Sequence, residues 1–150
     1  MNACRSVGAR SRGGLRQVTL VLLSLLPWSS VSAAVGGAWV GDGQVPVLRH
    51  AGHDYQLTLT PPATLPASRV GTVSWRYELS PLNTHLQTVL CHRQRCLPLS
   101  AVRGQTQSFA DQPVGGMWTF HFIMPGEGQR LSPVMQGKSL QLIVNYLLSE

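Results

Sequence analysis

The stretch Thr72-Val-Ser-Trp-Arg-Tyr-Glu-Leu79 decides the fold. In an extended chain Val73, Trp75, Tyr77 and Leu79 fall on one face, and Thr72, Ser74, Arg76 and Glu78 fall on the other. Apolar and polar residues alternating at period two mark a strand with one buried face; a helix would scatter the same residues around its circumference. The alternation recurs in Trp118-Thr-Phe-His-Phe-Ile123 and, more briefly, in Leu57-Thr-Leu-Thr60. The segment Leu140-Gln-Leu-Ile-Val-Asn-Tyr-Leu-Leu148 is apolar at nearly every position, which predicts a strand covered on both faces.

Turn chemistry separates these segments at Gly41-Asp-Gly43, Pro61-Pro62, Ser80-Pro81, Gly115-Gly116 and Pro125-Gly126. No window after residue 34 repeats at a helical period, and there is no internal repeat or long linker. Short strands broken by frequent Gly and Pro predict an all-β chain, a small single-domain antiparallel β-sandwich.

Upstream of the strands the chain changes character. Arg5, Arg10, Arg12 and Arg16 precede the apolar run Val18–Leu26, which is followed by Pro27 and then by the small residues of Val31-Ser-Ala33. A basic segment, a short apolar segment and a small-residue cleavage site form a secretory signal peptide. The apolar run is roughly half as long as the ~20 residues a membrane-spanning helix needs, so no stable membrane anchor is expected after cleavage. The expected division is residues 1–33 as signal peptide and 34–150 as the sandwich domain. Cleavage falls after Ala33, or one residue later after Ala34. The long stretch before Val18 leaves open whether Met1 is the true start.

Losing the leader alters both charge and thiol count. All six acidic residues follow residue 33 while four of the 12 basic ones precede Val18, leaving eight against six in the mature chain. A net charge that small predicts no nucleic-acid partner. Of three cysteines, Cys91 and Cys96 remain, in a compartment where disulfides persist. Leu86–Leu99 reads as two short strands around a four-residue polar turn, which sets the two cysteines face to face and predicts a disulfide. Zinc would want four ligands and a C-x-x-C knuckle, and a thioredoxin-like centre wants C-x-x-C at a helix start. Neither pattern is present here.

Other candidate sites are weak. His50-Ala-Gly-His53-Asp54 has metal-binding residue types but lies in a glycine-containing loop, where a solvated turn is the simpler reading. Met117 and His121 share strand parity, yet Met124 falls on the opposite face, so packing explains them better than copper. No catalytic motif occurs: there is no G-x-S-x-G, no H-E-x-x-H and no free cysteine, and Gly126-Glu-Gly128 reads as a turn. No enzyme activity and no cofactor are expected. Arg93 and Arg95, on a hairpin tip stiffened by the disulfide, are the candidate partner-binding residues, because two guanidinium groups suit an acidic or carboxylate-bearing surface. The plainer reading is a solvated tip. Whether Trp39 is a core residue or an exposed contact is open.

The blocks Trp75-Arg-Tyr-Glu-Leu79, Leu90-Cys91 with Arg95-Cys96, Gly104-x-Thr106-x-x-Phe109, Pro125-Gly-x-Gly128-x-x-Leu131-x-Pro133 and Ile143-Val-Asn-Tyr146 occur in that order after Gly37-Ala-Trp39. This ordered set resembles the flagellar protein FlhE family of Gram-negative bacteria. Departures are the long basic leader, the proline-rich region 61–66 and the extra residues Leu147–Glu150. The resemblance implies a small periplasmic β protein that binds flagellar export or rod/hook components. It further implies a part in limiting proton leak through the export channel and premature subunit polymerisation, with effects on flagellar assembly and swarming. An alternative from the residues alone is an exported carbohydrate-binding module for cell-wall or capsule glycan. That reading requires at least two of Trp39, Trp75, Trp118 and Tyr146 to lie exposed and coplanar.

Overall fold

The computed structural model describes residues 35–149; the expected signal peptide, with its cleavage positions Ala33 and Ala34, lies outside them. The described residues form strands β1 (Gly36–Gln44), β2 (Leu48–His50), β3 (Asp54–Leu59), β4 (Ser68–Ser80), β5 (Gln87–His92), β6 (Arg95–Leu99), β7 (Arg103–Thr106), β8 (Trp118–Ile123) and β9 (Arg130–Leu148). They make two sheets. One has the order β1-β9-β4-β7, with β2 also paired to β9, and the other has the order β3-β8-β5-β6. All pairings between strands are antiparallel, as the alternation predicts.

Both sheets turn their apolar faces to one core. Trp118, Phe120 and Phe122 from β8 are fully buried, as are Val73 from β4 and Leu142 and Val144 from β9. Burying each such side chain contributes about 1.5–3 kcal/mol. Tyr77 meets Phe122 edge-on at 5.4 Å and hydrogen-bonds Thr88 at 3.0 Å. Burial pushes the Tyr77 phenol above its usual range, and the Thr88 bond only partly offsets that.

The strand that decides the fold contains an irregularity the alternation does not announce. Val70 pairs with Tyr146 but Val73 with Val144, so β4 bulges at Gly71-Thr72. The extra residue flips parity and lets both Val70 and Val73 face the core. A second shift, opposite Tyr77 and Leu79, does the same for Met135 and Leu140 on β9.

Strand β9 corrects one expectation. Leu140, Leu142 and Val144 are buried, but Gln141 and Asn145 are exposed, and Leu147 and Leu148 are 49% and 40% exposed. The strand is covered on one face only, because no described layer lies over the other. Trp39 proves to be a core residue at 6% exposure. Beside it β1 lies close to β3: a Cβ at Gly43 would come within 2.9 Å of the Leu57 side chain, and one at Gly41 within 3.2 Å of Leu59.

Candidate functional site

The β5–β6 hairpin carries the cysteines. Its register sets Cys91 opposite Cys96 and His92 opposite Arg95, and the two sulfurs are bonded. The turn holds only Arg93 and Gln94, not the four polar residues that the sequence suggests, because His92 and Arg95 complete the ladder. Arg93 has φ 53°, the positive value that primed two-residue hairpin turns require at their first position. The cysteine Cα atoms lie 4.0 Å apart, as in a non-hydrogen-bonded pair.

Three successive features of this tip reach back to the segment between β7 and β8. His92 is fully buried and stacks on Trp118 with ring centroids 3.8 Å apart. Its ring nitrogens face two backbone carbonyls, Nδ1 at 3.1 Å from the Met117 oxygen and Nε2 at 2.9 Å from the Pro113 oxygen. A neutral imidazole carries one N–H and can donate to only one of them; a doubly protonated ring donates to both. Arg93 Nη2 donates to the Gly115 carbonyl at 2.8 Å, and Arg95 Nη1 donates to the Ser108 carbonyl. Phe109, also fully buried, packs edge-on against Trp118 at 5.2 Å. The Trp118 indole N–H finds no partner among the described residues, a cost of roughly 1–3 kcal/mol that the surrounding aromatic burial must outweigh.

On the outer face of the same sheet lies an open concavity of about 410 Å³, lined by Gln56, Cys91, Arg93, Met117, Thr119 and His121. Met117 is 64% exposed. Arg93 also borders a second hollow of about 290 Å³ walled by Pro61, Pro62 and Pro66. One bond to Gly115 orients the Arg93 fork without exhausting its five donors. The concavity therefore combines a positioned cation, a flexible thioether and polar strand residues. This mixture suits a protein surface better than a small apolar ligand.

Asp54 and His121, read separately in the sequence, meet here. Nδ1 of His121 lies 2.9 Å from the Asp54 carboxylate, and Gln56 Nε2 donates to the same carboxylate at 2.7 Å. Burial alone would push the Asp54 carboxyl up, but the bonds from His121 and Gln56 and the nearby His121 charge hold it below 3.8. No alternation rule signals this pair, since the residues lie on different strands. The cross-strand register, Gln56 opposite His121, creates it.

The metal candidates separate. Asp54 turns to His121, while His53 lies between the rings of His50 and Tyr55. Met117 and His121 do line one concavity, but Met124 is buried at 7% exposure. Among the described residues no cluster of three or more His, Cys, Asp or Glu could hold a metal ion. Of the four aromatic residues that a glycan-binding platform would draw on, none is fully exposed, and Tyr146 is half-buried. Trp39 and Trp118 are buried, and Trp75 is half-buried with its N–H donated to the Ala101 carbonyl at 3.0 Å.

Comparison with known proteins gives a consistent result. A family model described as "Flagellar protein FlhE" matches residues 46–147. A flagellar protein FlhE of Salmonella typhimurium is 38% identical over 120 residues, covering 78% of this chain and 90% of that one. One from Yersinia enterocolitica is 32% identical over 133 residues, covering 86% and 92%. A crystal structure of FlhE superposes with a TM-score of 0.68 at 36% identity, covering 75% of this chain and 98% of that one.

Proposed function

Because this chain belongs to the FlhE family of flagellar proteins, we propose that it binds flagellar export or rod/hook components in the periplasm of a Gram-negative bacterium. Binding there limits proton leak through the export channel and premature subunit polymerisation, and so affects flagellar assembly and swarming. The reading is non-enzymatic: the protein acts by covering a surface. Export with removal of residues 1–33 is part of the proposal. The bonded Cys91 and Cys96 support it, because such a bond persists in an oxidising compartment.

The observation that carries this reading is the concavity beside the clipped hairpin. A partner segment entering it would meet the oriented Arg93 and the exposed Met117 without requiring the hairpin to reorder. Binding to a pre-organised surface loses less to ordering than binding to a mobile loop. Arg95 extends the basic tip on the β6 side.

A photo-crosslinking residue placed at Met117, in cells otherwise lacking the protein, is expected to capture an export, rod or hook component. The same deletion strain is expected to acidify abnormally and to form misplaced filaments. A strain normal on both counts would remove the proposal. Capture of flagellar components from the opposite sheet, but not from Met117, would move the surface elsewhere.

A further inference from the structure

Among the described residues strand β1 is an unguarded sheet edge, and its register makes it complementary to itself. Pairing with β9 is regular from Gly36 opposite Leu147 to Gln44 opposite Ser139, with no bulge. Just beyond its ends, Leu148 N–H donates to the Val35 carbonyl at 2.9 Å and Val45 N–H to the Lys138 carbonyl at 2.8 Å. These two bonds fix the phase of the ladder: Gly37, Trp39, Gly41 and Gly43 turn their backbone groups toward β9. Gly36, Ala38, Val40, Asp42 and Gln44 therefore point their N–H and C=O groups away from the sheet. All five are exposed, and no described strand pairs with that side.

The usual protections of an edge are absent. β1 contains no Pro and no Lys, and its single charge is Asp42. Its outer face continues an apolar strip: Val40, 48% exposed, lies beside Ile143, and Leu147, opposite Gly36, is 49% exposed. A row of unpaired backbone groups beside exposed apolar side chains is a template for another strand.

We propose that the occupant is a second copy of this chain, paired antiparallel through β1 about a two-fold axis at Val40. Val40 is the midpoint of the strand, so the pairing sets Val40 opposite Val40, Ala38 opposite Asp42 and Gly36 opposite Gln44. Every outward backbone group finds its counterpart. The two Asp42 carboxylates face alanines and stay about 13 Å apart at strand spacing. The two Val40 side chains join the two Ile143 side chains into one continuous ridge, and the order β4-β9-β1 continues as β1-β9-β4 in the partner. A two-fold axis requires such a self-complementary patch.

The test uses protein purified from cells expressing the full chain in a Cys4→Ser background. Sedimentation across a broad concentration range is expected to show a reversible dimer. Val40→Lys sets two like charges against each other at the axis while leaving every bond within the chain intact. It should weaken dimerisation on the order of tenfold or more. With a short thiol crosslinker, Val40→Cys should give a covalent dimer. Gln44→Cys should give little, because the two Gln44 positions would lie about 27 Å apart. A single-chain mass at all concentrations overturns the proposal. So does a dimer indifferent to Val40→Lys, or one in which Gln44→Cys crosslinks as well as Val40→Cys. Protection of β1 amides only when flagellar components are added would assign the edge to a partner instead and would equally overturn it.

Discussion

The free edges of β6 and β1 carry the same chemical groups and are treated in opposite ways. On β6 the hairpin register leaves only Cys96 and Pro98 with backbone groups directed outward, and proline has no N–H to offer. The strand is short, its cysteine is tied across to β5, and its neighbouring arginines are bonded to the chain's own carbonyls. On β1 the outward groups of five residues stand exposed with neither proline nor lysine among them. The β6 edge offers little to an added strand, while the adjoining concavity presents side chains from β3, β5, β8 and the hairpin turn. The other is open along its backbone. Contact at the hairpin corner must therefore be read by side chains, whereas contact at β1 is read by the main chain.

The largest expected effect comes from loosening the closed corner. His92→Ala removes a fully buried ring stacked on Trp118 and takes away the ring nitrogens that face the Met117 and Pro113 carbonyls. A loss of about 3 kcal/mol or more is expected, read as a fall in the urea midpoint. Removing the disulfide by Cys91→Ala with Cys96→Ala comes next. It closes so short a loop that the chain-entropy model gives roughly 2 kcal/mol. If the double variant unfolded at the wild-type midpoint, the corner would owe its rigidity to His92 and the arginines alone.

The open edge should tolerate what the rest of the sheet would not. Val40→Pro deletes an N–H that points away from β9, so the cost to the fold is expected to stay under about 1 kcal/mol. Gly41→Pro, one residue along, deletes an N–H bonded into the ladder and should cost about 3 kcal/mol. Equal costs at the two positions would mean that the assigned ladder phase is wrong, and the contrast between the edges would lose its basis.

Much of the sandwich was legible in the residues, and the misreadings share a cause. Trp118, Phe120 and Phe122 alternate without interruption and are buried as the alternation requires. The β4 bulge leaves no mark in the pattern because an inserted residue shifts parity without changing composition. The second half of β9 looked covered on both faces because Ile143, Leu147 and Leu148 are apolar; apolarity alone does not separate a core from a surface awaiting a partner. The sequence around His92 reads as a polar turn, yet the carbonyls that face its ring come from residues 21 and 25 positions away. The disulfide was readable because it is local, and the concavity was not because it gathers three strands and a turn.

The smallest expected effect concerns Asp54, beside the concavity. Its carboxyl is held below 3.8 because the bonds from His121 and Gln56 and the His121 charge outweigh the opposing effect of burial. A group with a lowered folded-state pKa contributes stability that is present above its unfolded value and lost as pH falls through the folded one. Asp54→Asn should therefore cost stability near neutral pH, and the gap from wild type should close as the pH drops below about 4. The carboxylate is 38% exposed, so solvent screening limits the gap to a few tenths of a kcal/mol. The measurement is the difference in urea midpoint between the two proteins at several pH values. A gap that persisted unchanged into acid would show that Asp54 acts through packing or its Gln56 bond and not through its charge. The β1 edge, whose recognition rests on backbone groups, should keep its dimer across the same variant. Loss of the dimer in Asp54→Asn would couple the two regions that their opposite construction holds apart.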